Sequence, residues 1–548
     1  MNPVPTIVSH RPPTRCHPDP WPARRSGRWL WLPSLTLLLL ALVLTGCGGS
    51  GEPDTIALGI AQAPQNLDPR LATDAASSRV NRLLYTRLVE FDAASRPIPG
   101  IAHWEQPDPR TYRFTLGSAG RDFSDGSRLN AADVAATYRS VLDPASASPH
   151  RATLANVAAL VVLDDDRLEF QLHAPDPEFP NQLGLGILPA RLLEAGHNFR
   201  RAPVGSGAVR LVRWPKPGLL ILERRTDGQR LALVTVRDAN VRVMKLLRGE
   251  VDLLQNDLPP ELIGLLQRRD GIRVQTRPGI NYSYLGFNLQ DPATGDPRVR
   301  QAIAHAIDRE AILRYLFQGH ARTAEGLFPP EHWAGNADLL PYAHDPAQAR
   351  TLLAAAGFGL QQPLRLSLKT SSDPFRLRLA SVLQAQLAAA GIEARVQSYD
   401  WGTFFGDILA GRFQLYGLTW VGVRTPDIFR YAFHSAAMPP EGANRGRYHN
   451  PVVDRLIDAA RLEPRPEHAA ALYRALQQII HDDLPYIPLW FEDQVLASRG
   501  GISGYRLASD GNYDGLLTVR RGAAAATGSG AVGHQREGDR AITMIARQ

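Results

Sequence analysis

Thiols are nearly missing from this chain of 548 residues: Cys16 and Cys47 are its only cysteines. Two are too few for a disulfide framework, and no CxxC pair exists to hold zinc through sulfur. Also absent are GxxxxGK[ST], the loop that cradles phosphates, and HExxH, the helical zinc pair of metalloproteases. Val204–Gly207 reads VGSG, which lacks the spacing of a nucleophile elbow and has no third glycine for a dinucleotide fingerprint. The fifteen histidines are scattered without ligand spacing, and His305 falls in mid-helix, where packing is the simpler reading. No catalytic residue, metal or cofactor is therefore assigned, and an enzyme would have to gather its residues from distant positions. One-sided charge is missing as well. The net charge is +7, but Met1–Gly46 holds five arginines and one aspartate, so the remainder carries about +3. No Lys/Arg run with interleaved aromatics points to nucleic acid.

The N-terminal segment is distinctive. Arg24, Arg25 and Arg28 lead into WLWLPSLTLLLLALVLTGC, the charged and apolar regions of a secretory signal. The apolar run is short for a membrane span and is interrupted by Pro33; a single transmembrane anchor is the alternative. Leu44-Thr45-Gly46-Cys47 resembles a bacterial lipobox. The resemblance implies residues 1–46 as a cleaved signal, acylation of the Cys47 sulfur, and 47–53 as a flexible tether.

From Asp54 the chain reads as α/β. TIALG alternates like a strand, NLDP at Asn66–Pro69 is a turn, and SSRVNRLLYTRLVEF is expected to be helical. Residues of about 98–202 are mostly short strands, with one helix announced by the box-like pair Asn130 and Asp133. Asp164–Asp166 marks a hairpin turn rather than a metal site. Further on, Asp296-Pro297, Asp345-Pro346 and Asn450-Pro451 each open a helix by an Asx cap with proline at the first position. The first of these helices is expected to run to Gly319. Tyr282, Tyr284, Phe287, Trp401, Phe404, Trp420 and Phe429 are expected at strand ends or adjoining loops, where α/β ligand crevices form. Core packing is the alternative for each.

Several blocks together resemble the extracellular solute-binding proteins of the peptide/nickel uptake class, family 5. They are DFSDGSRLNAADVAATYRSVLDP (Asp122–Pro144), YLGFNLQDPATGDPRVRQAIAHAIDREAIL (Tyr284–Leu313), PVGSGAVRL, PAQARTLLAAAGF, YHNPVVDRLIDAAR and DDLPYIPLW. The resemblance implies a two-lobed periplasmic-binding-protein type II fold with an extra strand-rich subdomain in lobe I. Lobe I is expected over 54–284, lobe II over 285–489 and a return to lobe I over 490–520, with a disordered tail over 521–548. It also implies capture of a small, peptide-like ligand by a monomer at the periplasmic side of the cell envelope, lipid-anchored to a membrane, in partnership with an ABC permease and ATPase. An envelope receptor or chaperone of the same fold, without transport, is the alternative.

The resemblance also locates candidate ligand contacts. Peptide-binding members place an aspartate, partner of the peptide α-ammonium, three residues after the tryptophan that matches Trp420; here that residue is Val423. Free-amine peptides are thereby disfavoured, because a buried ammonium without a carboxylate is costly. An arginine that takes the ligand carboxylate in dipeptide binders aligns with Thr370, beside Lys369. Trp401 and Trp420 offer stacking area, and Arg424 a planar donor fork, unless it is spent on an ion pair with Asp427. In the loop PPEGANRGRYHN, Asn444 and Arg445 are cleft candidates, a plain surface loop being the alternative. Asn66, Tyr284 and Asn288 complete the expected ligand-binding set.

Overall fold

Two long antiparallel strands, Ile272–Phe287 and Tyr486–Arg499, lie side by side along almost their whole length and organise the molecule. The computed structural model describes residues 55–92 and 95–522. These strands sit centrally in an eleven-stranded mixed sheet, in which the short strand Ala321–Thr323 also pairs with Tyr486–Arg499. Beyond the Phe287 end the sheet continues through Leu415–Trp420, Leu364–Ser371 and Ile392–Tyr399. Beyond the Arg499 end it continues through Leu253–Gln255, Ile56–Ile60, Arg230–Thr235, Leu219–Arg224 and Val209–Lys216. Each half is one lobe, and the long strands cross between them. Their register slips at Leu489, opposite Ser283 and Tyr284, and breaks again in mid-course, where Pro278, Gly279 and Ile280 stand against Asp493. Gly279 is required there, since a Cβ would lie 2.1 Å from the Glu492 carbonyl oxygen.

Period-2 alternation gives each face of lobe II its own core. Leu285 and Phe287 face the helices Pro297–Ala306, Pro346–Ala355 and Pro374–Ala389, whose Val299, Ile303, Leu353, Leu383 and Leu387 close one apolar layer. Tyr282 and Tyr284 face the other way, into an aromatic layer with Tyr416, Phe429, Phe433, Tyr473 and Tyr486. The helices Asp427–Phe433, Pro451–Leu462 and Pro466–Asp483 supply its outer side. The subdomain is a four-stranded antiparallel sheet, ordered 102–108, 111–116, 167–172 and 157–162, packed on the helix Ala131–Leu142. That helix starts with the full capping box of Asn130 and Asp133.

Four local expectations are corrected. The helix that includes Ser77 ends at Leu84, and Val89–Phe91 is a strand paired with Pro97–Pro99. Tertiary demands override its helical pattern, because the carbonyls of Leu84 and Thr86 accept from the amides of Gly207 and Ile187. The helix from Pro297 stops at Ala306, and a new one over Arg309–Ala311 starts when Asp308 accepts from the Ala311 amide at 2.8 Å. Trp401, Phe404 and Phe429 lie in helices rather than in loops, Trp401 opening one under an Asp400 cap. Arg521 is not tail: it pairs in a strand with Ile502, and its guanidinium meets Asp252 at 2.7 Å. The signal, Cys47, the tether and residues 523–548 lie outside the described residues. Among the described residues, no helix is long and apolar enough to cross a membrane, and no group of His, Cys, Asp and Glu could hold a metal ion.

Candidate functional site

The strand Leu415–Trp420 ends at a turn in which Gly422 takes φ +65°, and the Gly422 amide donates to Asn281 Oδ1 at 3.0 Å. This turn aims Arg424 at the lobe junction and leaves Trp420 and Val423 against the aromatic layer of lobe II. Val423 is half-buried against the aromatic layer and brings no charge. Arg424 does not pair with Asp427. It crosses to lobe I and forms an ion pair with Asp510, which is 4% exposed. Burial, with Arg82 nearby, pushes the Arg424 guanidinium down to about 10. Its carbonyl meanwhile accepts from His332 Nε2 at 2.9 Å, which fixes the turn.

Asp427 instead belongs to an acidic group shared by both lobes. Arg461 lies 3.6 Å from Asp427 and 3.2 Å from Asp176 of the subdomain. Tyr473 donates to Glu178 at 3.2 Å. Burial raises the Asp427 carboxyl to about 6, with Arg461 opposing and Asp176 adding to the rise. Glu178 and Asp176 are raised by burial too.

A ladder of flat groups runs inward from the surface of lobe II. Trp401, 59% exposed, stacks on Phe405 with centroids 5.4 Å apart. The Arg445 guanidinium lies 5.3 Å from the Phe405 centroid and 4.6 Å from that of Trp420. Trp420 stacks in turn on Tyr284 at 6.3 Å, and Tyr284 on Tyr486 at 4.0 Å. Arg445 is only 7% exposed, and its hydrogen bond goes from Nη1 to the Tyr284 hydroxyl at 3.1 Å.

Other expected contacts are occupied with holding the fold. Asn66 closes its own turn by accepting from the Asp68 amide at 2.9 Å. The Asn288 amide donates to the carbonyls of Gly411 and Phe413, and that of Asn444 to those of His434 and Tyr448. Thr370 is buried in its strand, and Lys369 meets Asp407 at 2.6 Å, so neither offers a free donor to a carboxylate. Asp510, Asp176, Arg461, Phe405, Tyr416 and Tyr486 were not foreseen. Arg461 and Tyr486 carried a signal, as parts of YHNPVVDRLIDAAR and DDLPYIPLW; the rest meet through folding alone.

Residues 66–438 match the family profile described as bacterial extracellular solute-binding proteins, family 5 Middle. The chain belongs to that family. It is 30% identical, over 81% of its length and 90% of the relative's, to a probable di/tripeptide-binding protein of Pseudomonas aeruginosa. It is 26% identical to the dipeptide-binding protein of Escherichia coli, over 85% of its length and 94% of the relative's. Among solved structures, NikZ of Campylobacter jejuni in complex with Ni(L-His) shares the fold, with a TM-score of 0.76 and 22% identity, over 85% of this chain and 99% of that one. The chain is thus a solute-binding protein of periplasmic type with a two-lobed α/β fold.

Proposed function

We propose that this protein is the lipid-anchored substrate-binding component of an ABC importer, closing its two lobes on a peptide-like or other small polar ligand that lacks a free amine. The single observation that carries the reading is the Arg424–Asp510 ion pair across the cleft. It commits the acidic side chain facing this turn to an internal cation, while Val423 stands where peptide-binding relatives place their ammonium partner. A ligand ammonium arriving at this turn would find no carboxylate on residue 423 and Asp510 already paired. The names of the relatives support a peptide-like ligand class, and the lipobox at Cys47 supports the anchor.

Two breaks in the register of the crossing strands support a hinge there, one at Pro278–Ile280 against Asp493 and one at Leu489 opposite Ser283 and Tyr284, the second adjoining the crossings expected at 284/285 and 489/490. Closing there brings Arg424 to Asp510, Arg461 to Asp176 and Tyr473 to Glu178. The test is mass spectrometry of what co-purifies with the protein, followed by adding that molecule back to stripped protein in small-angle scattering. A small polar molecule that lowers the radius of gyration is expected. An unchanged radius at saturation overturns capture by closure.

A further inference from the structure

Arg445 is a buried cation without an anion. Among the described residues it makes no ion pair, and its Nε is buried with no hydrogen-bond partner. Its neighbours are two aromatic faces, Phe405 and Trp420, and one phenol, that of Tyr284. Aromatic faces stabilise a guanidinium, but they leave its in-plane N–H donors unspent.

The surrounding polar atoms have the same character. The indole Nε1 of Trp420 is buried and unpartnered, and the hydroxyls of Tyr416 and Tyr486 are buried beside that of Tyr284. Burial holds both phenols well above their ordinary range, so they remain protonated and able to donate. A guanidinium, an indole N–H and two phenols thus share the aromatic layer, and no carboxylate has been placed among them. Polar groups desolvated in this way are costly unless a partner arrives, and the partner that suits them is an acceptor with negative charge.

We propose that Arg445 is the seat of an anionic group of the ligand, a carboxylate, with the flanking faces of Trp420 and Phe405 holding a flat or apolar portion beside it. This rests on the proposed binding role and names the chemistry that the role recognises. The seat is supplied by the loop after Pro440 and not by the strand position that aligns with the arginine of dipeptide binders, where Thr370 is buried and Lys369 is neutralised by Asp407. A planar guanidinium can take a carboxylate through two parallel N–H donors, which an ammonium cannot do.

The test uses N-acetylated dipeptides as paired probes, each as the free acid and as the C-terminal amide, titrated against the full-length protein by calorimetry and thermal shift. The acid of a pair is expected to bind at least about tenfold tighter than its amide, the effect of one charge-assisted hydrogen bond. Arg445→Gln is expected to bring the two forms within about twofold, and Arg445→Lys to keep part of the difference. Should Arg445→Gln fail to fold, the acid-to-amide ratio in wild type and in Arg445→Lys decides. Equal binding of acid and amide by wild type, or a ratio that survives Arg445→Gln, overturns the anionic seat and leaves the peptide-like reading standing. Failure of every acid and amide to bind overturns both.

Discussion

Asp510 receives the guanidinium of Arg424 across the cleft, and the two come from sequence segments more than eighty residues apart. Both are largely withdrawn from water, so removing either leaves the other charged and unpaired in the closed form alone. Such a loss costs on the order of 3 kcal/mol, about a hundredfold in a closure-coupled affinity. Asp510→Asn and Arg424→Gln are each expected to weaken binding of the co-purifying ligand by that order. The double variant is expected to be less impaired than the sum of the two, as a double-mutant cycle in calorimetry checks.

Closure is expected to depend on pH through the acidic group between the lobes. The groups that face Asp427 are Arg461, Asp176, Arg430, Glu178 and Tyr473. In the closed form burial raises Asp427 to about 6 and raises Glu178 and Asp176 as well, whereas in open lobes the carboxyls meet water near their usual range of about 4. The closed form therefore binds more protons than the open one. Its advantage is full below about pH 4, declines as pH rises through about 6, and is constant above that. Ligand affinity is expected to be several-fold higher at pH 5 than at pH 8, and Asp427→Asn to flatten the profile.

Restoring a carboxylate at the turn is expected to change the preferred ligand. Val423→Asp places an acceptor where peptide-binding relatives carry one, and a charge-assisted bond is worth about 2–3 kcal/mol when geometry allows. Free-amine dipeptides, expected to be weak ligands of the wild type, are expected to gain at least about tenfold, while their N-acetyl forms do not. Calorimetry with the paired peptides measures this. Tight wild-type binding of free amines that is lost on acetylation would place the ammonium on another carboxylate.

Membrane attachment is expected to depend on one atom, the Cys47 sulfur. Cys47→Ser is expected to move the protein from the membrane fraction to the soluble fraction, read by blotting, because stable anchoring needs the acyl chains on that residue. An unchanged membrane pool would sink the lipobox reading.

Gly286 is expected to resist substitution. A Cβ there would stand 2.4 Å from Cζ of the Tyr416 ring and 2.6 Å from its hydroxyl oxygen, and Tyr416 is fully buried. The ring cannot turn away without displacing its aromatic neighbours. Gly286→Ala is expected to lower the urea-unfolding free energy by about 1–3 kcal/mol, the usual cost of overpacking a core.

Much of this protein is written locally. Asp296, Asp345 and Asn450 cap the helices they announce, because a short side chain reaches only the next two or three amides and needs no distant partner. The charge step and apolar run before Cys47, the alternation of Tyr284 against Leu285, and the blocks that place the chain in its family are equally local. The sequence alone therefore determined the class and the α/β character. It did not determine what Arg424 or Arg445 would meet. An arginine reaches about 6–7 Å from its Cα, so its partner is whatever the fold brings within that radius. For Arg424 the fold brings Asp510, not Asp427 three residues away. For Arg445 it brings Trp420, Phe405 and Tyr284, all aromatic and none charged. Capped helix starts are settled by bonds to neighbours in the chain; the charge balance of a cleft is settled by segments that meet only when two lobes close, and for that the tertiary structure alone decides.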